Sequence, residues 1–292
     1  EKLFGALEAG GTKMICAIVD EKGNIISESN IPTTSPKETS EKVLAFFSNY
    51  KISALGIATF GPVDLNPESP TYGCILNTPK LGWKGFSFID TFKNLNVPIG
   101  IDTDVNGSCL GEVYFGKCKN IKNVIYITIG TGIGLGVYVE GNLLHGMQHP
   151  EAGHILLSRR EDDKGESSCP YHKDCFEGLA SGPAIQKRYG KPASELKNDE
   201  KVWDLVSDYI AQALMNYILI LVPQKIVLGG GVMQQAHLFP LIRKKVLEKM
   251  NKYLETKELR NIDEYIVPCS LSDKQGILGS CKIGMDKYAS MN

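Results

Sequence analysis

The sequence contains no apolar run approaching the roughly 18 residues that a membrane-spanning helix needs. Its first residues also lack the basic segment followed by an apolar one that is typical of a signal peptide. There is no long basic block, and 32 lysines and arginines are balanced by 33 aspartates and glutamates, so the charge pattern does not favour binding to nucleic acid or to an anionic membrane. These absences predict a cytoplasmic protein whose partners are small molecules.

Histidine is scarce, with five residues in the chain, yet two of them lie close to two cysteines. The four residues His154, Cys169, His172 and Cys175 follow the spacing H-x14-C-x2-H-x2-C. Thiolate and imidazole ligands suit Zn²⁺, and four protein ligands leave no open position for a catalytic water. The cluster therefore predicts a structural zinc site that organises a loop. The alternative is a set of scattered thiols and imidazoles that bind no metal.

The remaining composition is typical of a globular protein that lacks disulfides. The six other cysteines are scattered in apolar or mixed surroundings, which predicts reduced side chains, with a disulfide framework as the weaker alternative. They are Cys16, Cys74, Cys109, Cys118, Cys269 and Cys281. With 42% hydrophobic and 22% charged residues, a chain of 292 residues can form two lobes with a cleft between them.

A weak internal repeat organises the chain. Residues 4–19 and 124–139 each consist of two apolar, β-branched runs around a short Gly/Thr turn, which predicts a β-hairpin in both places. Strands mixed with helices in both halves predict an α/β fold. We predict a small N-terminal lobe, residues 1–115, joined by a C-terminal helix at 277–292, and a large lobe at 116–276. The other predicted elements are helices at 40–50, 106–115, 203–222, 238–254 and 276–288, and strands at 54–59, 97–101 and 225–229.

Two glycine turns are candidate phosphate-binding sites, because glycine lets backbone amides approach an anion and threonine adds a hydroxyl donor. They comprise Gly10, Gly11, Thr12 and Lys13, and then Gly130, Thr131 and Gly132; a third glycine turn comprises Gly229, Gly230 and Gly231. For either hairpin alone, the turn geometry would explain the glycines. Two duplicated lobes that each direct a glycine hairpin toward a central cleft are the layout of the actin-like ATPase (ribonuclease H-like) fold. The third turn, between a strand and a helix, would then supply the remaining nucleotide contact.

Asp102 and Asp104 lie at the end of a predicted strand. A carboxylate in that position can accept a hydroxyl proton as phosphoryl transfer begins, which is the role of the general base in an alcohol kinase. The alternative is that one of them caps the helix that follows.

These motifs belong to a longer series that runs through nearly the whole chain. The series comprises residues 8–13, 56–64, 69–73, 77–80, 82–83, 102–106, 130–134 and 150–154, together with the zinc cluster. In this order it resembles the ROK group of bacterial sugar kinases (repressors, open reading frames and kinases). Residues 78–80 and 150–154 are more similar to its fructokinases than to its glucokinases.

The resemblance implies a role for each matched residue. Asp104 would be the catalytic base, and His154 would bind zinc through one ring nitrogen while the other side of its ring faces the sugar. The residues implied around the sugar are Asn77, Asp104, Glu151, His154 and Glu177. Those implied around the nucleotide are Gly10, Gly11, Thr12, Lys13, Thr131, Gly132, Pro183, Gly229, Gly230 and Gly231. ATP, Mg²⁺, structural Zn²⁺ and a homodimer are also implied.

The chain departs from the family pattern at three positions. Glu8 replaces a common Asp whose expected role is to hold the magnesium shell through water, Asp102 replaces a common Glu, and His172 replaces a common Cys. The function predicted is ATP-dependent phosphorylation of a hexose, with fructokinase activity favoured. Glucose or mannose as substrate, and a sugar-responsive regulatory protein without turnover, remain open. Zinc-dependent hydrolysis is disfavoured by the closed ligand set.

Overall fold

The structure of the protein is a computed structural model that describes residues 1–80 and 82–292. The chain divides into two compact units. Unit 1 comprises Glu1–Asn120, Leu143–His149 and Ser270–Asn292, and unit 2 comprises Ile121–Asn142 and Pro150–Cys269.

Both units combine a five-stranded sheet with helices. The strands are β1 (Leu3–Ala9), β2 (Lys13–Asp20), β3 (Ile25–Pro32), β4 (Leu55–Thr59), β5 (Ile99–Thr103), β6 (Val124–Ile129), β7 (Ile133–Val139), β8 (Asn142–Leu143), β9 (Lys225–Gly229) and β10 (Ile266–Pro268). The helices are α1 (Pro36–Ser48), α2 (Phe88–Phe92), α3 (Asp104–Tyr114), α4 (Phe176–Ala180), α5 (Gly182–Tyr189), α6 (Glu200–Leu221), α7 (Leu238–Met250), α8 (Lys257–Arg260), α9 (Ile262–Tyr265) and α10 (Gln275–Ser290). The predicted α/β class is confirmed.

The two sheets share one topology, which confirms the repeat in the sequence. Their strand orders are β3-β2-β1-β4-β5 and β8-β7-β6-β9-β10. In unit 1, β1 is antiparallel to β2 and parallel to β4, and β5 is parallel to β4. In unit 2, β6 is likewise antiparallel to β7 and parallel to β9, and β10 is parallel to β9. Both predicted hairpins therefore form.

In unit 1 the sheet is covered on both faces. Phe4 and Ala6 of β1 pack in one hydrophobic cluster with residues of α10, whereas Leu7 and Ala9 pack in the cluster on the opposite face. Successive side chains of a strand point to opposite faces, so β1 must be apolar almost throughout. Helix α3 lies so close to α10 that a side chain at Gly279 would overlap with the backbone of Gly107. This packing fixes the helix that begins with Asp104.

Capping residues decide where the helices begin and end. Helix α1 begins at residue 36 rather than the predicted 40, because Ser35 accepts a hydrogen bond from the Glu38 N–H and proline occupies the first helical position. Helix α7 ends at residue 250 rather than 254, because Asn251 takes a left-handed conformation (φ 48°). The predicted helix 203–222 corresponds to α6, which Pro223 follows.

Unit 1 takes in more of the chain than the lobe predicted at 1–115 and 277–292. It extends to residue 120, includes residues 143–149 and resumes at residue 270. Ser270 belongs here because its N–H donates to Glu112 Oε1 at 2.7 Å and its hydroxyl bonds to Glu112 Oε2. Its Oγ also accepts from the Lys117 N–H at 3.0 Å.

Unit 2 has a single large hydrophobic core, in which apolar side chains of β6, β7 and β9 pack against α4, α6 and α7. In the described part of the chain, no helix combines the length and the apolar character needed to cross a membrane.

Candidate active site

Asp104 is the first residue of α3 in unit 1, where its side chain is exposed. Its Oδ1 accepts a hydrogen bond from the Val105 N–H at 2.9 Å. Thr103 is the N-cap of the helix, because its Oγ1 accepts from the Asn106 N–H at 3.1 Å. The alternative in which Asp102 or Asp104 caps the helix is therefore wrong. A helix N-terminus stabilises the ionised carboxylate, which is the form that a general base requires.

Asp102 is buried beneath the same helix end. Its Oδ1 accepts from the Thr103 N–H and from Asn106 Nδ2, each at 2.7 Å. Its Oδ2 lies 2.7 Å from Nε2 of His145, a residue of the short segment 143–149. The hydrogen bond to the Asp102 carboxylate raises the pKa of His145 and outweighs the opposing effect of desolvation.

Glu8 lies at the end of β1 in unit 1, against the first turn of α10, where a side chain at Gly276 would overlap with its carboxylate. Burial raises the pKa of Glu8 to about 7, and the charge of Asp104 acts in the same direction. The charges of Lys13 and Lys274 oppose this rise. Carboxylate oxygens are the hard ligands that Mg²⁺ prefers, so the chemistry of Glu8 and Asp104 suits this ion.

The first glycine turn connects β1 with β2 in unit 1. The Gly10 N–H donates to the Lys13 carbonyl at 3.0 Å, and Thr33 Oγ1 donates to the Gly10 carbonyl at 2.8 Å. Thr12 and Lys13 are exposed, and a Cβ at Gly11 would have no described atom within 4 Å. The turn thus leaves its backbone open to a ligand. Asn77, predicted at the sugar, is exposed in the same unit.

In unit 2 the structure brings the other nucleotide candidates together. The Gly182 N–H, next to Pro183, donates to the Gly130 carbonyl at 2.7 Å, and a Cβ at Gly130 would lie 3.6 Å from the Gly231 nitrogen. Gly230 needs to be glycine because its φ is 92° and a Cβ would overlap with the backbone of Ile129.

Two features of this region remain open to a ligand. A Cβ at Gly231 would meet no described atom within 4 Å, so protein packing does not require glycine there. Thr131 and Pro183 are exposed. A bound anion could therefore approach the backbone of both glycine turns.

The four predicted metal ligands converge in unit 2. His154 Nδ1, Cys169 Sγ, His172 Nδ1 and Cys175 Sγ all lie within 4.8 Å of one another. Cys169 Sγ is 3.7 Å from His154 Nδ1 and 3.6 Å from His172 Nδ1, and Cys175 Sγ is 3.7 Å from His154 Nδ1. Tetrahedral Zn²⁺ with ordinary bond lengths separates sulfur from nitrogen ligands by about 3.6 Å, so the donor set fits this ion.

Glu177 connects the metal cluster with the second glycine hairpin. Its Oε2 lies 3.6 Å from Nε2 of His154, the ring nitrogen that does not face the cysteines. Its Oε1 accepts a hydrogen bond from the Ile133 N–H at 2.9 Å, directly after the turn at Gly132. Carboxylates near the second nitrogen of a metal-binding histidine orient its ring.

Local packing explains why His154 reaches the cysteines. The Phe176 N–H donates to the Ile155 carbonyl and the Leu157 N–H to the Asp174 carbonyl, both at 2.9 Å, so the two ligand segments run side by side. Gly153 allows this approach, since any side chain there would overlap with the Ile133 carbonyl. Glu151, predicted at the sugar, is exposed just before this turn.

The charged stretch 158–168 is anchored in unit 2 by a buried carboxylate. Asp163 accepts from Arg188 Nε at 2.9 Å and from the Tyr209 hydroxyl at 2.7 Å, with no exposure of its side chain. Arg159 donates to Asp174 Oδ1 at 2.8 Å and to the Lys173 carbonyl at 3.0 Å, between two of the metal ligands. This network orders the loop through contacts that involve no metal.

Comparison with known proteins identifies the chain. The sequence profile of the ROK family matches residues 4–286. The chain belongs to the ROK family. A relative from Bacillus subtilis (strain 168) is 52% identical over 280 residues, covering 95% of this chain and 94% of its own. A fructokinase from Pediococcus pentosaceus is 45% identical over 278 residues, covering 95% and 96% respectively.

The fold agrees with this assignment. The crystal structure of a ROK hexokinase from Thermus thermophilus superposes on this ROK protein with a TM-score of 0.82 at 22% identity and covers 99% of each chain. At that identity the likeness shows the ROK fold alone.

Some polar groups of this ROK chain lay beyond sequence reasoning. His145 was not identified, because its partner Asp102 is 43 residues away and the spacing carries no motif. The burial of Asp163 is likewise not predictable from the sequence, since a run of charged residues is usually exposed. For both, the signal is a tertiary contact.

Proposed function

We propose that this ROK protein is an ATP-dependent hexose kinase, and specifically a fructokinase that converts D-fructose and ATP to D-fructose 6-phosphate and ADP. The observation that carries the proposal is the exposed Asp104 carboxylate at the N-terminus of α3, in a chain 45% identical to a named fructokinase. A carboxylate at a helix N-terminus can accept the proton of an attacking sugar hydroxyl.

Each unit would contribute its own residues. In unit 1, Asn77 would bind the sugar while Asp104 removes the hydroxyl proton. In unit 2, the sugar contacts would come from Glu151, His154 and Glu177. This set is supported by the 3.6 Å between Glu177 Oε2 and His154 Nε2, with Glu177 itself held by the Ile133 N–H. The carboxylate oxygens of Glu151 and Glu177 would accept hydrogen bonds from the sugar hydroxyls.

Nucleotide binding would use the three glycine turns. Gly10, Gly11, Thr12 and Lys13 would contact phosphate from unit 1; Thr131, Gly132, Pro183, Gly229, Gly230 and Gly231 would bind ATP in unit 2. The open Cβ positions of Gly11 and Gly231 support close backbone approach to an anion. Amide donors fixed before substrate arrives stabilise charge on the transferred phosphoryl group without reorganisation.

Two metal ions complete the proposal. Zn²⁺ would be held by His154, Cys169, His172 and Cys175 and would stabilise the loop. Glu8 would hold water molecules of a Mg²⁺ shell, and that ion would neutralise the terminal phosphates of ATP. We further propose the actin-like ATPase class, supported by the matching topology of the two sheets, and a cytoplasmic homodimer whose two lobes correspond to units 1 and 2.

A coupled assay of ADP release with fructose, mannose and glucose tests this function. Fructose should give the highest kcat/KM, and Asp104→Asn should lower kcat by about 10²-fold or more while the protein stays folded and still binds sugar. Sugar binding without ADP release would instead indicate a regulatory protein. A D104N variant with wild-type kcat would exclude Asp104 as the base.

A further inference from the structure

The carboxylate of Asp102 is hydrogen-bonded to residues that precede and follow Asp104 in the chain. Its Oδ1 holds the backbone N–H of Thr103 and the side-chain amide of Asn106. Asp104 lies between these residues in the first turn of α3, and Thr103 and Asn106 are also joined by the capping hydrogen bond. The direction in which Asp104 points therefore depends on where the Asp102 carboxylate sits.

The other oxygen of Asp102 is held from outside the helix. Its Oδ2 lies 2.7 Å from His145 Nε2, whereas the Asp102 side chain is 7% exposed and that of His145 is 39% exposed. His145 therefore closes the solvent side of an otherwise buried carboxylate. Tyr72 is a further titratable group near this carboxylate, because burial and then the charge of Asp102 raise its pKa.

We propose that His145 is a positioning residue for phosphoryl transfer, which acts through Asp102 to hold Asp104 in its productive orientation. This inference rests on the proposed function. His145 reaches only the oxygen of Asp102 that is not bonded to the helix, so its effect on the base is indirect. A base displaced by an ångström loses much of its rate advantage, whereas binding of ATP does not depend on it.

Two variants that differ by one methylene group test the hydrogen bond. In His145→Gln the side-chain amide can replace Nε2 as a donor to Asp102, whereas the side chain of His145→Asn is too short. We expect H145N to lower kcat about tenfold with little change in KM for ATP, and H145Q to stay within about threefold of wild type. Met147→Ala, at a residue 98% exposed in the same segment, is the matched control and should leave kcat unchanged.

A double-mutant cycle with Asp102→Asn tests whether His145 acts through Asp102. If His145 acts through Asp102, adding H145N to the D102N protein should change kcat by less than about twofold. Three outcomes would overturn the role of His145 without affecting the proposed function: wild-type kcat in H145N, equal losses in H145N and H145Q, or additive effects in the cycle. A wild-type protein that phosphorylates none of the three hexoses would overturn the proposed function, and this inference with it.

Discussion

Replacing Glu8 with glutamine should stabilise the protein at alkaline pH and weaken its activity. Burial and the charge of Asp104 raise the pKa of Glu8 from 4.5 to about 7, so the folded state resists ionisation of this carboxyl group. The stability that the protonated form provides is complete below about pH 4.5 and is lost as the pH rises through about 7. Glutamine does not ionise, so the Glu8→Gln protein does not lose this stability as the pH rises.

The expected size follows from the two pKa values. A difference between 4.5 and about 7 corresponds to about 3 kcal/mol at high pH. A small part of this is already lost at about pH 5, where the unfolded chain is mostly ionised. The free energy of unfolding of Glu8→Gln, relative to wild type, should therefore increase by roughly 2–3 kcal/mol between about pH 5 and about pH 8.

Urea unfolding of both proteins at the two pH values, without Mg²⁺ or nucleotide, measures this difference. Glu41→Gln, at an exposed position of α1, is the control and should show a difference from wild type within about 0.5 kcal/mol at both pH values. E8Q should also lose activity. A buried carboxylate that lowers the stability of the fold is expected at a position where function requires it. A stability difference that is the same at both pH values would refute the reasoning.

Three further perturbations have defined outcomes. Thr131→Val should raise KM for ATP with little change in KM for fructose, since it removes a hydroxyl donor at nearly constant volume; the opposite pattern in steady-state kinetics would contradict the nucleotide assignment. Metal analysis should find about one zinc per chain. Cys175→Ser should lower both zinc content and melting temperature and raise KM for fructose more than KM for ATP, whereas a zinc-free protein of full stability and activity would rule out the metal site. Asp163→Asn should reduce the free energy of unfolding by about 3–5 kcal/mol, because it leaves the buried Arg188 without its counter-ion; thermal unfolding within about 1 kcal/mol of wild type would refute this.

Local patterns of the sequence were enough to predict the elements that carry the site. The two hairpins follow from apolar runs around Gly/Thr turns, whose hydrogen bonds join residues a few positions apart. The convergence of the four predicted metal ligands was equally predictable, because they fall within a short stretch and thiolate and imidazole groups at such spacing are typical of zinc sites. Element ends were predicted less well, since a single hydroxyl such as that of Thr103 decides where a helix begins.

The polar contacts around these elements were decided by the tertiary structure. The bond between His145 and Asp102 and the burial of Asp163 join residues that are tens of positions apart, and no spacing encodes them. The raised pKa of Glu8 likewise depends on how deeply folding buries its carboxyl group and on the charge of Asp104 nearby. The sequence alone determined which chemical groups this ROK protein carries, because backbone patterns and ligand types are local properties. Only the tertiary structure decided the surroundings of each group, because desolvation and electrostatic interaction depend on neighbours that the folded chain brings together.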